Sequence, residues 1–403
     1  MTTGILSGEI AHGEQLFREG AIEEALKIFE SILEKEPGNL SALNNKGVSL
    51  YRLGKYHEAT STFLEVLRKD NNNTDAIHNL ILNYQEIGNW KAVKTILTEY
   101  GNCLSTEEKE TIINNLKKQK DYSFSSNITK EINLSFKLGD IPLKYKLTLN
   151  LEEFSQKIIW DFISHNRLYE EETSCFIATI VKMGDVVIDI GGHIGYFSLL
   201  ASELVGKEGN VFTFEPSISN YNHIKRHITI NKKTNIHAFN LALGVKNRET
   251  DFFLNLDNDG GHALWDVGTH SFNKISRVNQ LVKKIKLETL NNFFRDKNLV
   301  TCKLIKIDAE GAEFDILRGG ETIILKNNIP YIICEVNRSA LRQMGTSEGE
   351  LRKFMSELGY NTYCFSGEGL NLKVVKLMPD QYLQSKFVFN VLFSKDKFLR
   401  QSE

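Results

Sequence analysis

The sequence predicts two units of different class, an all-α helical repeat followed by an α/β domain on a parallel sheet covered on both faces. Three observations carry this. Small and apolar residues recur at a fixed spacing near the N-terminus, and five short apolar runs alternate with helical segments further on. The chain has 403 residues, against roughly 100–200 for one typical domain.

The repeat comes first. Gly13, Gly20, Ala25, Phe29, Ile32 and Pro37 align with Gly47, Gly54, Ala59, Phe63, Val66 and Asn71, thirty-four positions on. A further step reaches Ile81, Gly88, Val93 and Leu97, a third copy in which larger apolar residues replace the small ones, as suits a terminal repeat. Gly47 and Ala59 let antiparallel helices approach, Phe63 fills the groove between them, and Gly54 permits the turn. The pattern resembles tetratricopeptide repeats over about residues 9–100. That resemblance implies a concave face for a protein or peptide partner, with Asn44, Asn45, Asn79 and Asn83 as candidate clamping residues. The other reading is that the repeats only brace or dimerise the neighbouring domain, giving a homo-oligomer.

Residues 1–100 are therefore assigned to the repeats, 101–130 to a polar connector with a short amphipathic stretch at Ile112, Ile113 and Leu116, and 131–403 to the second domain. That domain opens on two alternating segments, INLSFKL and LKYKLTLN, read as a hairpin turned at Gly139–Pro142. A helical stretch at 173–182 follows.

The five apolar runs are DVVIDI (185–190), NVFTFE (210–215), NIHAFNL (235–241), KLIKID (303–308) and YIICEV (331–336). Short runs bounded by Gly, Pro or Asn, with helices between, are parallel strands buried on both faces. Ligands of such sheets collect at the strands' carboxyl ends. Asp189, Glu215, Asn240, Asp308 and Glu335 fall at those ends, while the strand bodies read as nearly uncharged.

In VVIDIGGHIG the loop after the first run decides between two cofactors. A dinucleotide G-x-G-x-x-G fails in both frames, because position 190 is Ile in one and positions 193 and 196 are His and Tyr in the other. Asp189 just ahead of the loop would also repel a diphosphate but suits an ammonium group. S-adenosylmethionine carries one, together with a carboxylate for the N–H groups opening the next helix near Gly195. Gly191, Gly192 and Gly195 offer bare backbone for close passage beneath a ligand, and Glu215 can accept two hydrogen bonds from ribose hydroxyls.

VVIDIGGHIGYFSLLASEL, VFTFEPS, LALG at 241–244 and LIKIDAEGAEFDILRGG at 304–320 resemble the FkbM family of S-adenosylmethionine-dependent methyltransferases over roughly 165–340. The resemblance implies a class I, Rossmann-like fold with a mostly parallel seven-stranded sheet, whose antiparallel edge would come from 359–395. It implies cofactor contacts at Asp189, Gly191, Gly192, His193, Gly195 and Glu215, to which the rim position of Asn240 adds one more. It also implies O-methylation of a hydroxyl on a sugar, glycolipid or polyketide-like acceptor. His193 departs from the smaller or amide side chains common at that position in relatives.

For catalysis, Asp308 and Glu310 bracket the end of the fourth run and fit a general base and an orienting acid. The competing reading has Glu310 and Glu313 capping the following helix. LDNDGGHALWDVGTH (256–270) reads as an irregular rim loop, in which His262 can serve as a base and Trp265 either as a sugar platform or as a pin to the core. His223, His227 and His237 read as structural or solvated. Paired carboxylates with Asp257 or His262 can hold Mg²⁺, but no spacing requires it, so no metal is assigned.

Lys and Arg total 49 against 51 acids, a balance that gives no reason to expect nucleic acid or a membrane surface as partner. No basic leader or membrane-length apolar stretch is seen. The five cysteines are scattered without a Cys-x-x-Cys pair, which suits reduced thiols in a cytoplasmic protein. The sequence thus reads as an S-adenosylmethionine-dependent O-methyltransferase; the alternatives are a non-catalytic scaffold and an NAD-dependent oxidoreductase.

Overall fold

A computed structural model describes residues 2–118, 129–138, 141–278, 280–367, 372–383, 388–396 and 398. The chain divides into two compact units. One comprises 1–124 with 251–257 and 266–284, the other 125–250, 258–265 and 285–403.

The first unit holds the repeats as helices Thr2–Arg18, Ile22–Lys35, Leu40–Arg52, Tyr56–Lys69, Thr74–Glu86 and Trp90–Tyr100. The thirty-four-residue period survives in atomic detail. A Cβ at Gly13 or Gly47 would run into the ring of Phe29 or Phe63, so the glycine is where the aromatic of the paired helix enters. Asn39 and Asn73 cap the corresponding helices of successive repeats, Leu40–Arg52 and Thr74–Glu86, by accepting from Ala42 and Ala76 N–H at 3.0 Å each. Gly54 turns the chain at φ +72°. The region read as connector contains one more helix, Thr106–Lys118, with Ile112 and Leu116 buried; positions 119–128 lie outside the described residues. Segments 251–257 and 266–284 group with this unit rather than with the α/β domain, for reasons visible in the bonding. The buried Tyr100 hydroxyl donates to the Val282 carbonyl at 2.9 Å, Asn71 bonds both the N–H and the C=O of Lys284, and the Lys283 ammonium reaches Glu99.

In the second unit the first hairpin is β1 (Thr129–Leu138) paired antiparallel with β2 (Ile141–Asn150); its turn at 139–140 lies outside the described residues. The strands that follow along the chain are β3 (Val186–Ile190), β4 (Asn210–Phe214), β5 (Ile236–Phe239), β6 (Ala242–Leu243), β7 (Arg248–Leu254), β8 (Leu281–Glu288), β9 (Leu304–Ile307), β10 (Tyr331–Asn337), β11 (Asn361–Ser366), β12 (Lys373–Lys376) and β13 (Val388–Ser394), of which β7 and β8 lie partly in the segments grouped with the first unit. The main sheet has the order β12-β11-β13-β10-β9-β3-β4-β5. Its five predicted strands β5, β4, β3, β9 and β10 are parallel; β13 then pairs antiparallel with β10, β11 antiparallel with β13, and β12 antiparallel with β11. The sheet therefore has eight strands rather than the expected seven, because Lys373–Lys376 pairs outside β11 and adds an outer edge.

Alternate residues of each strand feed two cores. Ile188, Ile190, Phe212, Phe214, Ile305, Ile307 and Ile332 enter one. Val187, Val211, Leu304 and Ile333 enter the other, beneath the β1–β2 hairpin and helices Glu171–Ile180 and Tyr196–Val205. Strand order reverses between β3 and β9, which opens a crevice at their carboxyl ends. No helix among the described residues is long and apolar enough to cross a membrane.

Candidate functional site

The crevice is framed by the loop after β3. Gly191 and Gly192 both donate N–H to the Phe214 carbonyl at 3.0 Å, folding the loop onto β4. Gly191 sits at φ +80°, and a Cβ there would run into the Asp308 carbonyl; one at Gly192 would meet Thr213 Oγ1. These glycines are thus demanded by neighbouring strands, and the loop needs them whether or not a ligand passes above. Gly195 (φ +87°) opens the helix Tyr196–Val205, whose first N–H groups make an anion site in the ordinary way.

Asp189 is 2% exposed. Its Oδ2 accepts from Ser198 Oγ at 2.6 Å, and its Oδ1, also buried, has no partner. A buried carboxylate oxygen left unsatisfied is costly. Burial pushes the carboxyl's pKa up, against the pull of Lys306 and Ser198, and the net direction is upward. An orphaned anionic oxygen at the crevice is what a ligand ammonium would satisfy. The expectation that the strand bodies lack charge is nevertheless corrected by Lys306. This lysine lies inside β9 as the register partner of Asp189, and is 2% exposed. Its Nζ donates to Asp308 Oδ2 at 2.9 Å and stands 4.4 Å from the Phe197 ring centroid. Burial works against its charge, but Asp308, Glu170 and Asp189 outweigh burial and hold it firmly protonated.

Glu215 ends β4 as expected, but both oxygens are engaged by backbone: Oε2 accepts from His193 N–H and Oε1 from Ser217 N–H, each at 2.9 Å. A carboxylate oxygen has two lone pairs, so each retains capacity for a ribose hydroxyl. Asn240 is exposed and gives its amide to the carbonyls of Glu215 and Pro216 at 2.9 Å, bracing that turn. His193 adopts φ +49°, and its Nε2 bonds Asp259 Oδ2 at 2.9 Å. Asp259 was missed by the sequence reading because its partners Ser155, Gln156, His193 and Asn220 are all distant in the chain. The only local signal was its place in the acid- and glycine-rich stretch 256–270.

At the end of β9 the two acids differ. Asp308 is ion-paired with Lys306. Glu310 adopts φ +49° and accepts from Asn337 Nδ2 at 3.2 Å; burial, then the charges of Asp308 and Glu313, push its carboxyl up to about 8. Glu313, fully buried at the start of the helix Glu313–Gly319, accepts from Ala309 and Gly311 N–H at 2.9 and 3.1 Å and ties the preceding turn; the N-cap position Ala312 has no side-chain cap, so the capping read for Glu310 and Glu313 is not seen. Trp265 is buried, with its indole N–H given to the Glu310 carbonyl at 2.8 Å, the pinning role of the two foreseen. His262 is half-buried three residues before it. Asp257 bonds the N–H groups of Lys274, Ile275 and Ser276. No group of three or more His, Cys, Asp or Glu among the described residues is arranged to hold a metal.

Beside this end of the sheet lies a cavity of about 510 Å³. Glu170, Glu172, Glu335, Thr173 and Asn390 form its polar side, with Phe365, Leu383 and Phe389 among its apolar walls. Burial, then Asp308, Glu310 and Glu170, hold the Glu335 carboxyl well above its ordinary range. Asn390 Nδ2 bridges Glu170 Oε2 (2.6 Å) and Thr173 Oγ1 (2.9 Å).

Of the other histidines, His227 is buried against the Ile194 carbonyl and Thr148 N–H, and His237 bonds Asn210, both structural as expected. Cys175, Cys302, Cys334 and Cys364 are buried and not joined in disulfides. In the repeat unit Asn44, Asn45 and Asn79 line a cavity of about 310 Å³ with Asp75, His78 and Glu108. Asn83 does not join them. It is buried and bonds the Tyr56 carbonyl and Thr60.

Residues 189–362 match the model of the methyltransferase FkbM domain. This stretch, less than half of the chain, is similar to the FkbM methyltransferases. The matched region is that of an S-adenosylmethionine-dependent methyltransferase, and the oxidoreductase alternative falls. The FkbM match is accompanied by a match of residues 16–129 to the coatomer epsilon subunit model. Methyltransferase 1 of Beauveria bassiana is 25% identical over 191 residues, spanning 44% of this chain and 75% of that protein. Among solved structures, a SAM-dependent methyltransferase from Aquifex aeolicus aligns over 55% of this chain and 88% of its own, at 13% identity and TM-score 0.31. The TPR2B domain of yeast Sti1, in a complex with pHsp70, aligns over 27% of this chain and 94% of its own, at 17% identity and TM-score 0.24.

Proposed function

We propose that the FkbM domain methylates a hydroxyl of a sugar or glycan-containing acceptor seated in the cavity bounded by Glu170, Glu335 and Asn390. The observation that carries this is the split pair at the end of β9, with Asp308 ion-paired to Lys306 and Glu310 retaining its proton near neutrality. Methyl transfer needs an acceptor oxygen about 3 Å from the methyl carbon and a group to take its proton. Asp308 serves as the base and the Glu310 carboxyl donates a hydrogen bond that orients the acceptor, with His262 as the further candidate base on the rim. Three carboxyls and an amide facing apolar walls suit a polyol, whose hydroxyls donate to the acids while its C–H face packs on Phe365 and Phe389.

S-adenosylmethionine supplies the electrophilic methyl. Asp189 would hold its ammonium, the helix start at Gly195 its carboxylate, and Glu215 its ribose, with Gly191, Gly192, His193 and Asn240 shaping that wall. Because the sulfonium charge vanishes during transfer, a base already neutralised by Lys306 favours the transition state over a bare anion. The asparagine-lined cavity of the repeats is assigned a protein or peptide partner.

Calorimetry tests the cofactor assignment: Glu215→Ala weakens S-adenosylmethionine binding by roughly tenfold or more, as expected for lost hydrogen bonds to a charged group. Unchanged affinity removes the ribose role. The acid assignment has its own pH test. Glu310 must be protonated to donate, so methyl transfer into an acceptor fraction falls as pH rises through about 8. Glu310→Gln, which keeps a donor at all pH, loses that alkaline limb. A limb that persists in the variant assigns it elsewhere.

A further inference from the structure

The segment from Asp259 to Trp265 is fixed at both ends. At one end Asp259, 7% exposed, takes Ser155 N–H at 2.8 Å, Gln156 Nε2 at 3.1 Å and His193 Nε2 at 2.9 Å on its carboxylate, and Asn220 Nδ2 at 2.8 Å on its carbonyl. At the other, Trp265 is tied to the Glu310 carbonyl. Gly260, Gly261 and His262 lie between. The strap thus runs from the cofactor loop to the β9 acids. Its first anchor grips that loop at a strained residue, since His193 is held in the left-handed region, and the same His193 gives its N–H to Glu215.

We propose that Asp259 is a positioning residue of the methyltransferase: through the His193 side chain it sets the glycine loop and Glu215 for S-adenosylmethionine. It touches neither cofactor nor acceptor, and the inference rests on the reading that this loop holds the cofactor. A histidine at a left-handed position strains the loop more than glycine would. The bond from the imidazole to a buried carboxylate helps offset that strain. The direction of the titrations agrees. Burial pulls the His193 imidazole down, but the bond and charge of Asp259, then the charges of Glu215 and Asp308, raise it overall; the His193 charge in turn lowers His227, on the helix Ile218–Ile230. Asp259 is pushed up by burial, yet His193, Gln156 and Ser155 hold it well below the usual carboxylate range.

The test is calorimetric titration of the full chain with S-adenosylmethionine and S-adenosylhomocysteine across pH 6–9. Wild type binds best while His193 is charged, and affinity falls as pH rises through the imidazole's elevated pKa. His193→Gln, which keeps a donor toward Asp259 but cannot titrate, flattens that profile. Asp259→Asn weakens both ligands by roughly tenfold and moves the pH dependence to lower pH. The double variant is no worse than Asp259→Asn alone, because without the carboxylate the side chain at 193 has no charged partner left to act through. If either single variant lowers the melting temperature yet leaves both affinities and the pH profile at wild-type values, the pair is merely structural and the proposal is overturned. Should wild type itself bind neither ligand, the cofactor reading fails and takes this inference with it; binding by wild type with unaltered variants sinks the positioning role alone.

Discussion

Asparagine in place of Asp308 is expected to leave S-adenosylmethionine affinity within about twofold while lowering methyl transfer by roughly 10²–10⁴-fold, the range lost with a positioned general base. Asparagine is chosen over alanine because Lys306 is buried and donates to this carboxylate. Removing the acceptor outright would strand an ammonium in the interior at about 3–5 kcal/mol, and instability would then mimic lost chemistry. The asparagine carbonyl still accepts that bond, and Asp189 and Glu170 continue to act on the ammonium. Transfer of radiolabelled methyl groups to acceptors in cell extract reads the rate, and calorimetry reads the affinity. Undiminished transfer by the variant would move the base to His262, which His262→Ala then tests.

A larger effect on the fold is expected from Gly191→Ala. The residue sits at φ +80°, and its added Cβ would strike the Asp308 carbonyl, a backbone atom that cannot swing aside. The left-handed conformation costs an L residue about 1–2 kcal/mol, and overpacking adds about 1–3 kcal/mol. For a unit this large the sum corresponds to a fall in melting temperature of roughly 5–15 °C, accompanied by loss of cofactor binding as β3 and β9 part. Gly345 is the control. Its φ is +75°, but nothing lies within 4 Å of an added Cβ, so Gly345→Ala pays the dihedral cost alone. Equal melting shifts for the two variants would show that the clash at 191 is relieved at little cost.

What the sequence made legible follows from how each feature is encoded. Local periodicity is written in neighbouring residues, so the spacing of Gly13 to Gly47 and of Phe29 to Phe63, and the apolar runs that become β3, β4, β5, β9 and β10, could be read directly. The acids at strand ends were equally visible, because position relative to a run is a local property. Long-range pairing is not written that way. Nothing beside His193 announces Asp259, sixty-six positions on. Nothing beside Lys306 says that its neighbours in space are Asp189 and Glu170 rather than water. The loop glycines were rightly singled out for bare backbone. Their need for it arises from Asp308 and Thr213 below, atoms whose position only the folded sheet fixes. The eighth strand escaped notice because Lys373–Lys376 is four residues long and mostly exposed, with no buried face to leave an alternating signature.

The grouping of 251–257 and 266–284 with the N-terminal helices bears on how this protein can be dissected or recombined. A truncation ending near residue 124 would leave the Tyr100 hydroxyl without the Val282 carbonyl and Asn71 without Lys284, uncovering polar groups the fold had matched. The repeats are therefore not a cassette on a tether. Transplanting them means carrying two stretches borrowed from deep within the catalytic half of the gene, which ties the inheritance of the two units together.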